Sequence, residues 1–205
     1  MIGKVCVITG SRADYGLLRF TIEAIAEDTD LTLQLIAAGT HLESGYGLTI
    51  DEIVADGFSV DETVQVVPEN DTACDVAHAV GRGVHGFADA LERLKPELVL
   101  VLGDRYEILS AVIAATILHL PVAHCHGGEV TIGSVDEGFR HAITKMAHIH
   151  FTSTEDYRRR VIQLGEHPDT VINVGAFGLE GIQRLKLLKK DELERALGKK
   201  TILFT

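Results

Sequence analysis

The sequence predicts an α/β protein with a mainly parallel sheet that is covered by helices on both faces. Short apolar runs alternate along the chain with segments whose apolar residues recur at helical spacing. The run at residues 97–102 is an acid followed by Leu-Val-Leu-Val-Leu, a composition typical of a strand buried on both faces. Polar clusters follow the ends of these runs, which is where open α/β sheets bind ligands. Together these observations favour a parallel sheet with a ligand site along one edge.

The alternation fixes a predicted order of elements. Predicted strands occupy residues 4–9, 31–37, 59–67, 97–102, 122–125, 148–152 and 170–174. Predicted helices occupy residues 17–26, 49–56, 72–94, 108–118, 136–147, 154–164 and 179–190, and another begins at residue 191. Residues 10–16 are predicted to form a Gly-containing turn between the first strand and the first helix.

The end of the chain predicts a second unit. Residues 199–205 place two lysines before a fresh apolar run, which indicates either a final edge strand or the first strand of a further domain. On the second interpretation, residues 1–178 form an N-terminal domain. Residues 179–205 then hold connecting helices and the first strand of a truncated second domain.

Composition excludes several classes of partner. The formal net charge of −11 argues against nucleic acid or an anionic membrane as partner, but a local cluster of cations can still hold a small anion. No apolar run is long enough to span a bilayer and the N-terminus does not resemble a signal peptide, so we expect a cytoplasmic protein. The three cysteines are far apart and outside CxxC spacing, which argues against disulfides and structural zinc.

Four polar clusters follow predicted strands and should meet at one edge of the sheet. They contain Arg12, His41, the pair Asp104 and Arg105, and the stretch 124–145. The turn before the first helix lacks the GxGxxG spacing of dinucleotide sites, so no cofactor is expected by that route. Backbone N–H groups and Arg12 could instead hold a phosphate there. Asp104 is either the cap of the next helix or a proton carrier.

The stretch 124–145 has the densest set of titratable groups. His124 and His126 lie on the same side if the strand continues through them, and with nearby carboxylates they could bind a metal, although no third ligand is obvious. Asp136 and Glu137 could be acids at a helix start that pair with Arg140 and His141 one turn later. Metal binding and proton transfer are the two functional alternatives for this stretch.

Several motifs together resemble one known family. The segments that carry the resemblance are SRADYG at 11–16, GTHL at 39–42, KPE at 95–97 leading to GDRYE at 103–107, HCHGGE at 124–129 and RHAITK at 140–145. In this order and spacing, from residue 3 to about residue 178, they resemble the UDP-N-acetylglucosamine 2-epimerase family. The HGGE and RHAITK motifs are similar to those of its hydrolysing branch, which makes N-acetylmannosamine for sialic acid synthesis.

The resemblance implies a fold and a reaction. The chain would be the N-terminal, Rossmann-like three-layer half of a GT-B-like enzyme with its active site between two domains. UDP would leave UDP-N-acetylglucosamine by anti elimination as a base removes the C2 proton, and hydration of the resulting 2-acetamidoglucal would release N-acetylmannosamine. No cofactor and no metal would be needed. The full-length protein would be a homo-oligomer, and this fragment alone would be inactive because half of the cleft is absent.

The resemblance also implies roles for single residues. Asp104 and Asp136 match family acids proposed as proton carriers, and Arg12 and Arg105 match residues near the diphosphate. His126 stands where many relatives have an acid. The acid role would then fall to His126 or to a later glutamate. The expected catalytic residues are Asp104, His126, Glu129 and Asp136, and the expected substrate-binding residues are Arg12, His41, Arg105 and Arg140.

Two alternatives to this function stay open. The first is a non-hydrolysing epimerase or a relative that acts on GDP-sugars or modified bacillosamine sugars. The second is a non-catalytic module that binds nucleotide sugars.

Overall fold

A computed structural model describes residues 3–184 and 188–198 of the chain. The strands are β1 (Lys4–Thr9), β2 (Thr32–Ala38), β3 (Glu62–Val64), β4 (Leu98–Leu102), β5 (Val122–Cys125), β6 (Ile149–Thr152) and β7 (Val171–Asn173). The helices are α1 (Arg12–Glu27), α2 (Ile50–Ala55), α3 (Ala73–Leu94), α4 (Tyr106–Ile117), α5 (Asp136–Met146), α6 (Glu155–Gln163), α7 (Phe177–Arg184) and α8 (Lys190–Leu197). Short 3-10 turns follow β2 and precede β7.

All seven strands form one parallel sheet in the order β3-β2-β1-β4-β5-β6-β7. The predicted Rossmann-like α/β architecture is therefore confirmed. The chain winds outward from β1 in one direction and then restarts at β4 on the other side of β1, with Val5 opposite Leu98. The carboxyl ends of β1 and β4 thus flank the point where the strand order reverses, the usual ligand position in such sheets.

Two apolar cores cover the two faces of the sheet. Alternate residues of each strand point to opposite faces, so Cys6 and Ile8 of β1 enter one core and Val5 and Val7 enter the other. The first core also contains residues of α3, α4 and α5, and the second contains residues of α1. Each large apolar side chain that is fully buried in this way contributes about 1.5–3 kcal/mol to stability. The helices on both faces therefore hold the strand ends in fixed positions.

The segment predicted as a turn at residues 10–16 is mostly helical. Helix α1 begins at Arg12, because Ser11 caps it: the Ser11 Oγ accepts a hydrogen bond from the Asp14 N–H at 3.3 Å. The glycine at position 16 suggested a turn, but it lies inside the helix. Helix α1 therefore starts directly at the carboxyl end of β1.

Two other predicted elements differ in extent. The strand predicted at 59–67 is limited to β3, because only three of its residues pair with β2 and the Asp61 carboxylate accepts the Leu35 N–H at 2.7 Å just before them. The helix predicted at 179–190 corresponds to α7, which begins two residues earlier, and the helix predicted from residue 191 corresponds to α8. A new helix starts at Lys190 because the Glu192 side chain accepts the Lys189 N–H at 2.9 Å. The strand predicted at 199–205 lies outside the described residues.

No helix within residues 3–184 and 188–198 is long and apolar enough to cross a membrane.

Candidate active site

A pocket of about 340 Å³ lies at the carboxyl ends of β4 and β5, and we call it the acid pocket. Its charged and titratable lining consists of Asp14, Asp104, Arg105, His126, Glu129, Asp136 and Arg140. The four residues expected to be catalytic are spread over positions 104 to 136 of the chain. They nevertheless line the same pocket. The parallel sheet explains this, because the loops after neighbouring strands share one edge.

Arg140 holds several residues of the acid pocket in place by hydrogen bonds. Its side chain is only 6% exposed, and the guanidinium donates to the Asp104 carboxylate, to Thr131 Oγ1 at 2.8 Å, to the Glu129 carbonyl at 2.7 Å and to the Glu137 carboxylate at 3.2 Å. These acceptors come from the loop after β4, the loop after β5 and the first turn of α5. Arg140 therefore ties the loops together and fixes the carboxylate of Asp104 by a charge-assisted hydrogen bond.

Asp104 is held in the pocket and does not cap the following helix. Arg105 occupies the N-cap position of α4. Gly103 adopts a left-handed φ of +84° that turns the chain after β4. The Gly103 carbonyl lies 2.8 Å from His124 Nε2, and the other ring nitrogen lies 3.2 Å from Thr144 Oγ1. Burial lowers the pKa of His124 to about 3, so this histidine is neutral and pins the loop that carries Asp104.

His126 and Glu129 lie within ion-pair distance of each other. The His126 Nδ1 lies 3.3 Å from Glu129 Oε1, which accepts from Ser153 Oγ at 2.7 Å. Burial lowers the pKa of His126, while Glu129 opposes that shift. The backbone of His126 has a φ of +65°, an uncommon conformation for a residue with a Cβ. Such an outlier is typical of functional sites.

The two histidines of the HCH motif do not share a face. The strand ends at Cys125, and the left-handed turn at the next residue rotates the second ring away. The first ring contacts Thr144 of α5, while the His126 ring packs edge-on against Phe177 of α7 at a centroid distance of 5.3 Å. Within residues 3–184 and 188–198, no group of three or more His, Cys, Asp and Glu side chains is arranged to hold a metal ion.

The first turn of α5 supplies the remaining acids. Asp136 is its first residue, and its carboxylate accepts from Ser134 Oγ at 3.0 Å. Glu137 pairs with Arg140 and lies 3.4 Å from His141 Nε2, as the predicted pairing of these residues requires. The Thr131 N–H and then the nearby cations lower the pKa of Glu137. Neither acid is the N-cap, a position held by Val135.

A second pocket of about 500 Å³ lies beyond the carboxyl ends of β1 and β2, and we call it the arginine pocket. Its lining includes Ser11, Arg12, Thr40, Tyr46, Arg105 and Tyr106. Arg12 is largely exposed and pairs with Glu52 at 3.0 Å. Arg105 lines both pockets, so its guanidinium stands at their boundary.

Two buried acids of this region were not predicted from sequence as site residues. Glu107 is fully buried and accepts two hydrogen bonds from Arg105. Asp14 is nearly buried, and this burial raises the pKa of its carboxyl. Both lie inside motifs that the sequence displays, GDRYE and SRADYG. Their position inside these motifs could have indicated that they belong to the site. That they are buried could not be read from the sequence.

His41, which was expected to bind substrate, does not line either pocket. Its ring is fully buried, with Nε2 at 3.0 Å from Thr9 Oγ1 and Nδ1 at 2.8 Å from Thr49 Oγ1. Burial lowers its pKa to about 4. With both nitrogens engaged by the protein, the side chain links β1 to the start of α2.

Comparisons with known proteins agree on one family. The sequence model of a family described as UDP-N-acetylglucosamine 2-epimerase matches residues 23–205. The chain is 42% identical over 198 residues to a UDP-N,N'-diacetylbacillosamine 2-epimerase (hydrolyzing) of Legionella pneumophila, covering 97% of this chain and 52% of that protein. It is 40% identical over 195 residues to polysialic acid biosynthesis protein P7 of Escherichia coli, covering 95% and 50%.

The fold is also shared with solved structures. The chain superimposes with a TM-score of 0.80 on UDP-GlcNAc 2-epimerase of Methanocaldococcus jannaschii in complex with UDP-GlcNAc and UDP. The identity is 21%, and the match covers 95% of this chain and 52% of that one. The chain thus spans about half the length of the curated relatives it matches, which agrees with the expected half of a GT-B-like enzyme.

Proposed function

Because the chain belongs to the UDP-N-acetylglucosamine 2-epimerase family, we propose that the full-length protein is a hydrolysing UDP-sugar 2-epimerase. The observation that carries this proposal is the acid pocket, where carboxylates and an imidazole surround one cavity beside the reversal of strand order. Abstraction of a weakly acidic C2 proton needs a positioned carboxylate, and a second proton transfer needs another group.

The first candidate substrate is UDP-N-acetylglucosamine, with UDP and N-acetylmannosamine as products. The family description and the relationship to a polysialic acid biosynthesis protein support it. The second candidate is UDP-N,N'-diacetylbacillosamine, because the relative from Legionella pneumophila is named for that substrate at 42% identity. Both are UDP-activated 2-acetamido sugars, so the same chemistry at C1 and C2 applies to either.

The reaction proceeds in two steps. First, a carboxylate removes the C2 proton, the C1–O bond to UDP breaks on the opposite face, and a C1–C2 double bond forms. Water then adds its oxygen to C1 while a proton returns to C2 from the other face, which inverts C2 and releases the free sugar. We assign the first proton to Asp104 or Asp136 and the returning proton to the pair of His126 and Glu129. The carboxylate 3.3 Å from the imidazole nitrogen stabilises its protonated form, so the ring can gain and lose a proton.

The remaining expected residues take supporting roles. Arg12 and Arg105 lie on the arginine pocket, where cations stabilise the charge that develops on the departing diphosphate. Arg140 is surrounded by protein acceptors, so we assign it the positioning of Asp104 instead of a contact with substrate.

The acids are tested in the full-length protein by the variants Asp104→Asn and Asp136→Asn. Each variant keeps the size of the side chain and removes the carboxylate, so we expect kcat to fall at least about 100-fold. The measurement is UDP release from both candidate substrates, with the sugar product identified by NMR. Asp89→Asn, on the exposed surface of α3, is the matched control.

Each alternative has its own outcome. An epimerised UDP-sugar as product would show a non-hydrolysing enzyme, and binding without turnover would show a non-catalytic module. Turnover near the wild-type rate in both aspartate variants would show that the site assignment is wrong.

A further inference from the structure

Glu107 is a charged residue that has no contact with solvent. It lies in the first turn of α4 and is 0% exposed. Its Oε1 accepts hydrogen bonds from Arg105 Nε at 3.2 Å and from Nη2 at 2.7 Å. Burial of a carboxylate is costly unless a cation offsets it, so the two residues form one unit. The arginine of this unit is the residue that lines both pockets.

The backbone closes around the Glu107 carboxylate. Gly39 has a φ of +57°, and a Cβ at this position would lie 2.8 Å from Glu107 Oε1 and 2.7 Å from the Gly10 carbonyl. A Cβ at Gly10 would lie 3.4 Å from the Glu107 Cβ. The ends of β1 and β2 therefore leave no room for the carboxylate to swing outward. The acceptor of the Arg105 hydrogen bonds is fixed by the sheet itself.

Building on the proposed function, we propose that Glu107 is a positioning residue that holds the Arg105 guanidinium at the boundary of the two pockets, ready to bind the diphosphate of the UDP-sugar. Glu107 does not touch the substrate and acts only through Arg105.

Fixing an arginine in advance has a clear benefit for binding. A free arginine side chain loses much of its rotamer freedom when it binds an anion, and that loss weakens affinity. An arginine already held by a buried acceptor has lost this freedom on folding. Its charge is partly compensated by Glu107, but the burial of Asp14 raises the pKa of that neighbouring acid and so disfavours a second negative charge beside the guanidinium. Part of the attraction of the guanidinium for an anion therefore remains.

The test uses the full-length protein and the variants Glu107→Ala, Arg105→Ala and the double variant. For Glu107→Ala we expect a rise in KM of about tenfold and a similar loss of affinity for UDP measured by calorimetry, with kcat changed less than about threefold. In the Arg105→Ala background, adding Glu107→Ala should change KM and UDP affinity no further, because the glutamate acts through that arginine.

A conservative variant and a matched control complete the test. Glu107→Gln keeps an oxygen that can accept from Arg105, so it should recover most of the loss in UDP affinity. Glu107→Met, which fills the buried site without a carboxylate, carries the double-variant comparison if Glu107→Ala does not fold. The control is Glu62→Ala, which removes the carboxylate of another doubly hydrogen-bonded pair, with Arg93, between β3 and α3. This control should leave KM and UDP affinity unchanged.

The outcomes separate this proposal from the function it builds on. A wild-type protein that neither turns over a UDP-sugar nor binds UDP overturns both. If the wild-type protein does both, this proposal alone is overturned in two cases. In the first, Glu107→Ala or Glu107→Met binds UDP as well as the wild type does. In the second, their losses add to the loss in Arg105→Ala.

Discussion

Arginine 140 shows how one buried side chain can set the geometry of a whole site. Four acceptors from two loops and helix α5 surround its guanidinium, and one of them is the carboxylate of Asp104. A lysine at this position would keep the charge but would lose the planar set of donors. Charge and geometry can therefore be separated by experiment.

At this position we expect Arg140→Met to lower the free energy of unfolding by about 3 kcal/mol, because it leaves partly buried acids without their cation. Arg140→Lys should recover part of this stability but leave kcat at least about tenfold below the wild type, because Asp104 is no longer held. Urea unfolding and steady-state kinetics of the full-length protein measure the two effects. Arg159→Lys, on the exposed side of α6, is the control. Recovery of full activity by the lysine variant would show that charge alone matters.

The sequence predicted most of the residues of the site but not their roles. Asp104, His126, Glu129 and Asp136 line one pocket because each follows a strand of the same parallel sheet, and that rule can be applied to a sequence. His41 also follows a strand, yet the structure buries it between two threonines. Motif position alone cannot separate these cases, because burial depends on which helices pack over the strand end.

At the scale of the elements, two neutral histidines link strands to helices. His41 connects the end of β1 to the start of α2, and His124 connects β5 to the loop after β4 and to α5. Both are buried, and burial lowers the pKa of each, to about 4 and about 3. The fold therefore depends on their remaining uncharged.

These links predict that the free energy of unfolding falls as the pH is lowered from about 6.5 toward 4. In the unfolded chain a histidine takes up its proton near pH 6.5, whereas His41 and His124 stay neutral in the folded state to about pH 4 and about pH 3. The unfolded state then binds more protons, and each group removes up to about 1.4 kcal/mol per pH unit. Urea unfolding at about pH 7.5, 6 and 5 measures the slope.

Variants assign this slope to a residue. His41→Gln should make the stability less dependent on pH, whereas His85→Gln, at an exposed position of α3, should not. An identical slope in His41→Gln and the wild type would show that this histidine does not carry the effect.

Element boundaries were predicted unevenly, for physical reasons. The bounds of β1 and β5 were predicted correctly, because a polar, glycine-containing segment begins directly after each of them. The start of α1 was placed too late, because the Ser11 cap offsets a glycine that looked like a turn. The edge strand β3 was predicted too long, since pairing with a single neighbour, β2, sets its length and periodicity does not report pairing.

At the scale of the whole molecule, the order of the strands in the sheet could not be predicted from the periodicity of apolar residues. Alternating runs predict a parallel sheet, but they do not say that the chain restarts beside β1 after β3. That restart brings the Asp104 loop next to the Arg12 loop and so creates the boundary between the two pockets. The proposed division at residues 178 and 179 and the homo-oligomer both stay predictions.

The length of the relatives leads to a prediction about activity. On the proposed function the described residues supply one wall of a cleft, and the chain spans about half of its curated relatives. We expect the 205-residue chain to fold, as judged by circular dichroism, but to release no UDP from either candidate substrate. The full-length protein, assayed beside it, should release UDP. Release by the shorter chain at a comparable rate would show that one half is sufficient.

The crowding at Gly39 has a consequence for how this protein can change in evolution. Positions 10, 39 and 107 are far apart in the chain, yet the Gly10 carbonyl and the Glu107 carboxylate both occupy the space of a side chain at Gly39. A smaller residue at 107 would relieve only one of the two clashes, so it would not permit a larger residue at 39. No single compensating substitution is therefore available, and lineages that keep this turn should keep a glycine at position 39.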